Sequence, residues 1–256
     1  ASNKQPYFEA KPSQKEIDAL QQKHLAHNIK ELQRIFTIAA TANGPVHINI
    51  PMEEPLYGMT NTPIDFPVIP ELKPRVPETN YKELLSAWKS SKRKMILIGV
   101  AKPNAELATV LDTLLQDPSV VVFTEKTSNL SHPNAIGAID CLMAPLELEQ
   151  NGGEAELKPD LLLTLGGMIV SKKIKFFLRK HQALNHFHID QTKANDTFYY
   201  LSQHIHAPAE NILTALTEIS TTKSDYQFNI LSRYRNYLQK GKGYLSKIPF
   251  SDLRVF

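Results

Sequence analysis

The sequence predicts a parallel α/β domain with helices on both faces of its sheet, preceded by a helix–strand remnant of another domain. Three observations carry that prediction. First, short apolar runs recur, MILIGV at 95–100, VVVF at 120–123 and LLLTL at 161–165. Each is too brief for a good helix and apolar on both strand faces, as buried parallel strands are. Second, amphipathic stretches of helical period alternate with these runs, and βα alternation implies crossovers and a parallel sheet. Third, PDLLLTLGGMIVSKKIKFFLRKH (159–181) joins strand, glycine turn and helix in one unbroken segment. Gly166 and Gly167 permit a sharp turn, and Ser171 can cap a helix that gathers Ile174, Phe177, Leu178 and His181 on one face.

Taken in order, residues 13–42 show a helical pattern through Ile17, Leu20, Leu25, Ile29, Leu32, Ile35, Phe36 and Ala39, stopped by Asn43-Gly44. In GPVHINIPMEEPLYG (44–58), Val46, Ile48 and Ile50 alternate with His47 and Asn49, which predicts a short strand that Pro51 and Pro55 end. That strand has no local partner, so it is assigned to a preceding domain spanning 1–58. Residues 59–80 are a linker stiffened by Pro63, Pro67, Pro70, Pro74 and Pro77. The α/β domain, 81–222, follows with strands at Met95–Val100, Val120–Phe123, Ile136–Cys141, Leu161–Leu165, His186–Asp190 and Gln203–His206. Its helices are Asn104–Gln116, the basic helix after Ser171, and Ala207–Ile219 with Pro208 in the first turn. Residues 223–256 form a helix, Tyr226–Lys240, ended by Gly241 and Gly243, and a linker onward.

The bulk numbers exclude several classes. A chain of 256 residues with 42% hydrophobic and 21% charged residues is ordinary for a soluble globular protein. A net charge of +3 gives no coherent basic face for nucleic acid. No apolar run approaches the ~20 residues of a membrane span. ASNKQPYF at the start lacks an apolar signal core, and Cys141 is the single cysteine, which excludes an intrachain disulfide. The cytoplasm is the expected compartment. The absence of an initial methionine, and a helix that Ser251 would cap just before the last residue, suggest a piece of a longer protein.

Lys172 and Lys173 are the best chemical feature. They stand in a first helical turn, where positive charge opposes the helix dipole, and with the backbone N–H groups they suit an anion. A solvated lysine face is the plain alternative, and Lys175, further along the helix, is expected to be silent. Strand, glycine turn, helix and a next strand ending in Asp190 outline a dinucleotide-binding unit, but no third glycine completes the fingerprint. His186 and His188 share one strand face, and His204 and His206 share another, so zinc or nickel is conceivable; ring packing at strand edges is the simpler reading. Neither a GxSxG elbow nor a GxxxxGK[ST] loop is present.

GPVHINIPMEEPLYG resembles the stretch that closes the first domain in the 2-succinyl-5-enolpyruvyl-6-hydroxy-3-cyclohexene-1-carboxylate synthases of menaquinone biosynthesis. PDLLLTLGGMIVSKKIKFFLRK resembles the middle-domain segment of the same thiamine-diphosphate enzymes, at the expected distance downstream. The resemblance implies that 1–58 ends the pyrimidine-binding domain. It also implies that 81–222 is the NAD/FAD-binding-like central domain and that 223–256 leads into a diphosphate-binding domain. It implies a transferase that decarboxylates 2-oxoglutarate and adds the succinyl unit to isochorismate. The enzyme would use thiamine diphosphate and Mg²⁺ as a homodimer or homotetramer, without nucleic-acid or membrane partners. Lys172 and Lys173 match the basic pair facing the anionic substrates. The activating glutamate would precede this chain and the Gly-Asp metal motif would follow it. No catalytic, cofactor-binding or metal residue is therefore expected here, and the stretch alone is expected to be inactive and to bind no cofactor. The alternatives are an autonomous NAD/FAD-like binding module and another thiamine-diphosphate carboligase or decarboxylase.

Overall fold

The computed structural model describes residues 13–42, 44–51, 79–149 and 153–252. The expected linker up to residue 78, residues 52–58 of the proline-containing motif, Asn43 of the expected helix stop, and the stretch after Asp252 lie outside the described residues. The chain divides into two compact units, residues 1–76 and 77–256.

In the first unit, helix α1 spans Gln14–Ala42. Its start is fixed by a reciprocal cap: Ser13 N–H donates to Glu16 Oε2 at 2.8 Å, and Glu16 N–H to Ser13 Oγ at 3.4 Å. Residues 45–51 run beside it without regular structure, and His47–Ile50 with Leu32 and Ile35 border a cleft of about 330 Å³. The strand expected over Val46–Ile50 is therefore not formed. No described strand of this unit offers it an edge, and Ile50 is 67% exposed.

The second unit is built on six strands: β1 Lys94–Ile98, β2 Val120–Thr124, β3 Ala135–Ile136, β4 Leu161–Leu165, β5 Asn185–Ile189 and β6 Gln203–Ile205. Their order is β3-β2-β1-β4-β5-β6, and every pairing is parallel. Apolar runs buried on both faces explain the central place of β1, β2 and β4. Helices α2 (Lys82–Ser90), α3 (Ala105–Leu114) and α7 (Ala209–Thr217) cover one face, packing on Ile96, Ile98, Val122, Leu163 and Phe187. Helices α4 (Ile139–Leu148), α5 (Gly153–Leu157), α6 (Lys172–Lys180) and α8 (Tyr226–Leu245) cover the other, packing on Met95, Leu97, Phe123 and Leu162. Alternate residues of each strand thus feed opposite cores, as the pleat requires.

Two expectations need correction. The strand expected over Ile136–Cys141 is confined to Ala135–Ile136, because Ile139, Leu142, Met143 and Leu146 have helical spacing and are all buried in α4. Helix α8 does not stop at Gly241 but runs through it and Gly243 to Leu245. A glycine costs a helix about 1 kcal/mol, which weakens it without ending it. The same helix buries Tyr226, Ile230, Leu231 and Tyr234 in the core of this unit. Helix α2 was not expected; Leu84, Ala87 and Trp88 anchor it.

At the N-terminal end of β1, Lys94 is fully buried. Its ammonium reaches Asp117 Oδ2 at 3.1 Å, Ser119 Oγ at 2.8 Å and Thr222 Oγ1 at 3.0 Å, and lies 5.0 Å from the Trp88 ring centre. Burial pulls its pKa down while Asp117 pushes it back up. All three ammonium protons have acceptors, which is the condition for tolerating a buried charge. Lys94→Ala should lower stability by about 3–5 kcal/mol, because Asp117 keeps its buried charge with the Ser119 hydrogen bonds but no cation. Urea unfolding measures this, and a loss below about 1 kcal/mol would show that water replaces the ammonium.

Candidate functional site

The order of the strands reverses between β1 and β4, and ligands of open α/β sheets bind outside the strand ends at such a point. Here the two loops leaving that point are joined to each other. Gly167 N–H donates to the Val100 carbonyl at 2.7 Å, and Val100 N–H to the Met168 carbonyl at 3.2 Å. Gly166 has φ +77°, and a Cβ on Gly99 would stand 2.2 Å from the Gly167 oxygen. Glycine at 166 supplies the left-handed turn, and glycine at 99 allows the contact. The crevice that a dinucleotide would enter is filled by backbone.

The chain then runs outward through Met168 and Val170, both exposed, to α6. Ser171 caps that helix as expected, its Oγ accepting from Ile174 N–H at 3.2 Å. The same hydroxyl donates to Asp140 Oδ1 at 2.5 Å. The N–H groups of Val170 and Ser171 do converge on an anion, which is the carboxylate of Glu125, at 2.7–3.0 Å. Lys173 pairs with Glu147 of α4 at 2.5 Å. The ammonium of Lys172 is exposed and has no partner among the described residues. Lys175 is half-buried, and its Nζ donates to the Ile169 carbonyl at 3.1 Å. The helix therefore separates its four lysines by function, since Lys173 and Lys180 hold acids, Lys175 holds the loop and Lys172 is free.

Sequence reasoning missed Glu125, Asp140 and Glu147. They arrive from the end of β2 and from α4, and no local pattern links them to residues 170–173.

The four histidines are not assembled for a metal, and no group of three or more His, Cys, Asp or Glu side chains is placed to hold one among the described residues. They are divided instead. His204 Nε2 lies 2.9 Å from the Asp190 carbonyl, and its ring centre is 3.7 Å from that of His206. His186 is buried between Phe198 and Tyr200, with ring centres 5.5 and 5.3 Å away. Thr164 in β4 bridges His186 Nε2 and His188 Nδ1, each at 2.9 Å. Burial depresses the pKa of His186 to about 4 and lowers that of His188, so both are neutral at pH 7.

Thr164 has one hydroxyl proton, for which a ring nitrogen at 2.9 Å competes better than the Phe187 carbonyl at 3.4 Å, so it donates to one ring and accepts from the other. His186 Nδ1 is buried without a partner. If Thr164 donated to His186, that Nδ1 would be an orphaned N–H, the costlier kind of unpaired group. The favoured relay runs from His186 Nε2–H to Thr164 and from Thr164 to His188 Nδ1, leaving the His188 proton on Nε2.

The doubly wound parallel sheet, with helices on both faces and its switch point closed by glycine backbone, has the α/β architecture of a thiamine-diphosphate enzyme's central domain. The comparisons with known proteins name the branch. The chain is 43% identical over 235 residues to a 2-succinyl-5-enolpyruvyl-6-hydroxy-3-cyclohexene-1-carboxylate synthase of Flavobacterium johnsoniae, covering 90% of this chain and 42% of that protein. It is 38% identical over 252 residues to the synthase of Christiangramia forsetii, covering 95% and 44%. The Desulfotalea psychrophila synthase is 33% identical over 175 residues, 66% of this chain and 32% of that protein. No family model matches the chain. The chain belongs to this synthase family, and it spans about two fifths of the length of the curated relatives it matches.

Gly99→Ala should destabilise the second unit by about 1–3 kcal/mol or more, because the added methyl meets backbone that cannot swing away. Gly137→Ala is its control, since a Cβ there would meet only Thr124 Oγ1 at 3.7 Å. Equal thermal midpoints for the two variants would show that the loops can separate freely.

His186 sets a pH dependence. Folded, it takes its proton near pH 4; in the unfolded chain it does so near 6.5. Between these values the unfolded state binds the extra proton, so stability should fall as pH drops from about 6.5 to about 4, by on the order of 3 kcal/mol. Chemical unfolding at pH 7 and pH 5 should show a smaller difference in His186→Phe than in the parent. An identical difference would mean that other groups, His188 first among them, carry it.

Proposed function

We propose that this chain is the central part of a thiamine-diphosphate-dependent transferase that decarboxylates 2-oxoglutarate and adds the succinyl unit to isochorismate in menaquinone biosynthesis. The observation that carries this reading is the 43% identity over 90% of the chain to a synthase of that name. A cytoplasmic homodimer or homotetramer belongs to the same proposal, as does the domain division at 58, 80 and 222. No helix among the described residues is long and apolar enough to cross a membrane.

Thiamine diphosphate, with Mg²⁺, supplies the carbanion equivalent in such an enzyme. The described residues do not fit that group. They offer no metal-ligand cluster, the sequence has no Gly-Asp pair, and the switch-point crevice is filled. In this reading the cofactor is held by other stretches, and residues 1–256 alone do not turn over substrate.

The contribution of this chain is electrostatic. Both substrates are dianions, and a cation placed before the reaction begins offsets their charge without reorganisation. Lys172 is free to take that role, at a helix start held in place by the Glu125 and Asp140 contacts. Lys173 can join it by leaving Glu147.

In the longer enzyme containing this stretch, Lys172→Ala should raise KM for a dianionic substrate and lower kcat/KM roughly ten- to a hundredfold. Stability should be unchanged, because the side chain is exposed. Lys223→Ala, also exposed, should be silent. Unaltered steady-state kinetics in both Lys172→Ala and Lys173→Ala would reduce the basic start to surface. Failure of the unsubstituted enzyme to consume 2-oxoglutarate with isochorismate would overturn the function itself.

A further inference from the structure

A cleft of about 290 Å³ opens at the C-terminal ends of β4 and β5, bounded by residues 166–169, α6 and residues 193–198. It lies beside the filled switch point and does not include Lys172. Its charged lining is mostly cationic, while Thr164, Asn195 and Thr197 can both donate and accept. The Lys175 ammonium uses one proton on the Ile169 carbonyl and has others to give. His188 turns Nδ1 to Thr164, and the relay leaves a proton on Nε2, on the opposite side of the ring. Lys193 stands exposed at the rim. One acid is present, Asp190, and its Oδ1 is already taken by Thr192 N–H, the Thr192 hydroxyl and Lys193 N–H at 2.7–2.9 Å. Two ammonium groups and one carboxylate leave a single net positive charge.

We propose that this cleft is a binding site for a small carboxylate monoanion, one oxygen taken by the Lys175 ammonium and the other by His188 Nε2–H. Charge, donors and volume all suit that class. A metal cation is refused because two ammonium groups stand at the cleft and no group of three or more His, Cys, Asp or Glu side chains is placed to hold one among the described residues. Phosphate is poorly served, since it is held best by converging backbone N–H groups or an arginine fork. Of the glycine-turn N–H groups at the cleft, that of Gly167 is taken by the Val100 carbonyl, and those of Val170 and Ser171 lie outside it and are taken by Glu125. No arginine lines the cleft. The inference is independent of the function proposed above, because it uses neither Lys172 nor Lys173.

The test is a titration of this chain, ¹⁵N-labelled, with sodium acetate, against sodium chloride at equal ionic strength. The Gly166 and Gly167 amides and the His188 ring are followed by NMR. Acetate should move these signals saturably and chloride should not. Lys175→Gln should weaken acetate at least tenfold, Lys193→Ala about two- to fivefold, and Lys172→Ala, which touches the cleft only through its screened field, less than about twofold. Lys175 also holds the Ile169 loop, so Lys175→Gln alone does not separate loss of the loop from loss of the site; the exposed Lys193 decides, and unchanged affinity in Lys193→Ala overturns the proposal. Shifts linear in salt and equal for both anions overturn it as well. Inorganic phosphate binding more tightly than acetate would overturn the carboxylate assignment.

Discussion

Gly99 sits so close to the Gly167 carbonyl that no side chain fits between them, and much of the second unit follows from that contact. Parallel neighbours at a switch point normally send their loops to opposite faces and leave a crevice. Here the loops after β1 and β4 still part to opposite faces, towards α3 and α6, but they are first hydrogen-bonded to each other, so no crevice is left between them. The path beyond Gly167 exposes Met168 and Val170 and brings the N–H groups of Val170 and Ser171 to Glu125 at the end of β2. The start of α6 is thereby tied to a strand two places away in the sheet.

A helix beginning Lys-Lys opposes its own dipole, and an isolated peptide of this sequence would be penalised for it. The fold compensates from outside the helix. Glu125, Asp140 and Glu147 surround the first turn, while Glu154 meets Lys180 and His181 at the last. Arg179 donates to the Thr197 carbonyl, and Lys175 to that of Ile169. Exposed pairs of this kind contribute only about 0–1 kcal/mol each. Their effect is on direction: every other cation of the helix has a fixed task, which leaves Lys172 uncommitted.

The sequence made some of this legible and hid the rest for physical reasons. Leu161–Leu165 has the boundaries expected of it, because an unbroken apolar run closed by two glycines leaves no other choice. The Ser171 cap was equally local. Val46–Ile50 failed because alternation specifies a strand only where an edge awaits it, and none is described in that unit. Helix α4 was hidden by Pro145, which argues against a helix until the burial of Leu142, Met143 and Leu146 outweighs the one lost hydrogen bond. The acids around α6 and the Thr164 bridge between His186 and His188 are tertiary facts. They depend on β2, α4, β4 and β5 meeting at one end of the sheet, which no window of residues encodes.

That convergence also links the two anion readings. Lys172 and Lys175 are three residues apart on α6, so their Cβ atoms lie about 5–6 Å apart on adjacent turns. Their ammonium groups are directed differently, one to solvent and one to the Ile169 carbonyl. Two anions held by such neighbours would stand within about one Debye length at physiological salt, where repulsion is only partly screened. Filling one position would therefore weaken the other. No movement of the sheet is needed for this, because α6 is fixed at its start by Glu125 and Asp140 and along its length by Ile174, Phe177 and Leu178 in the core. The coupling would be purely electrostatic, and it would fade with added salt in a way that a conformational coupling would not.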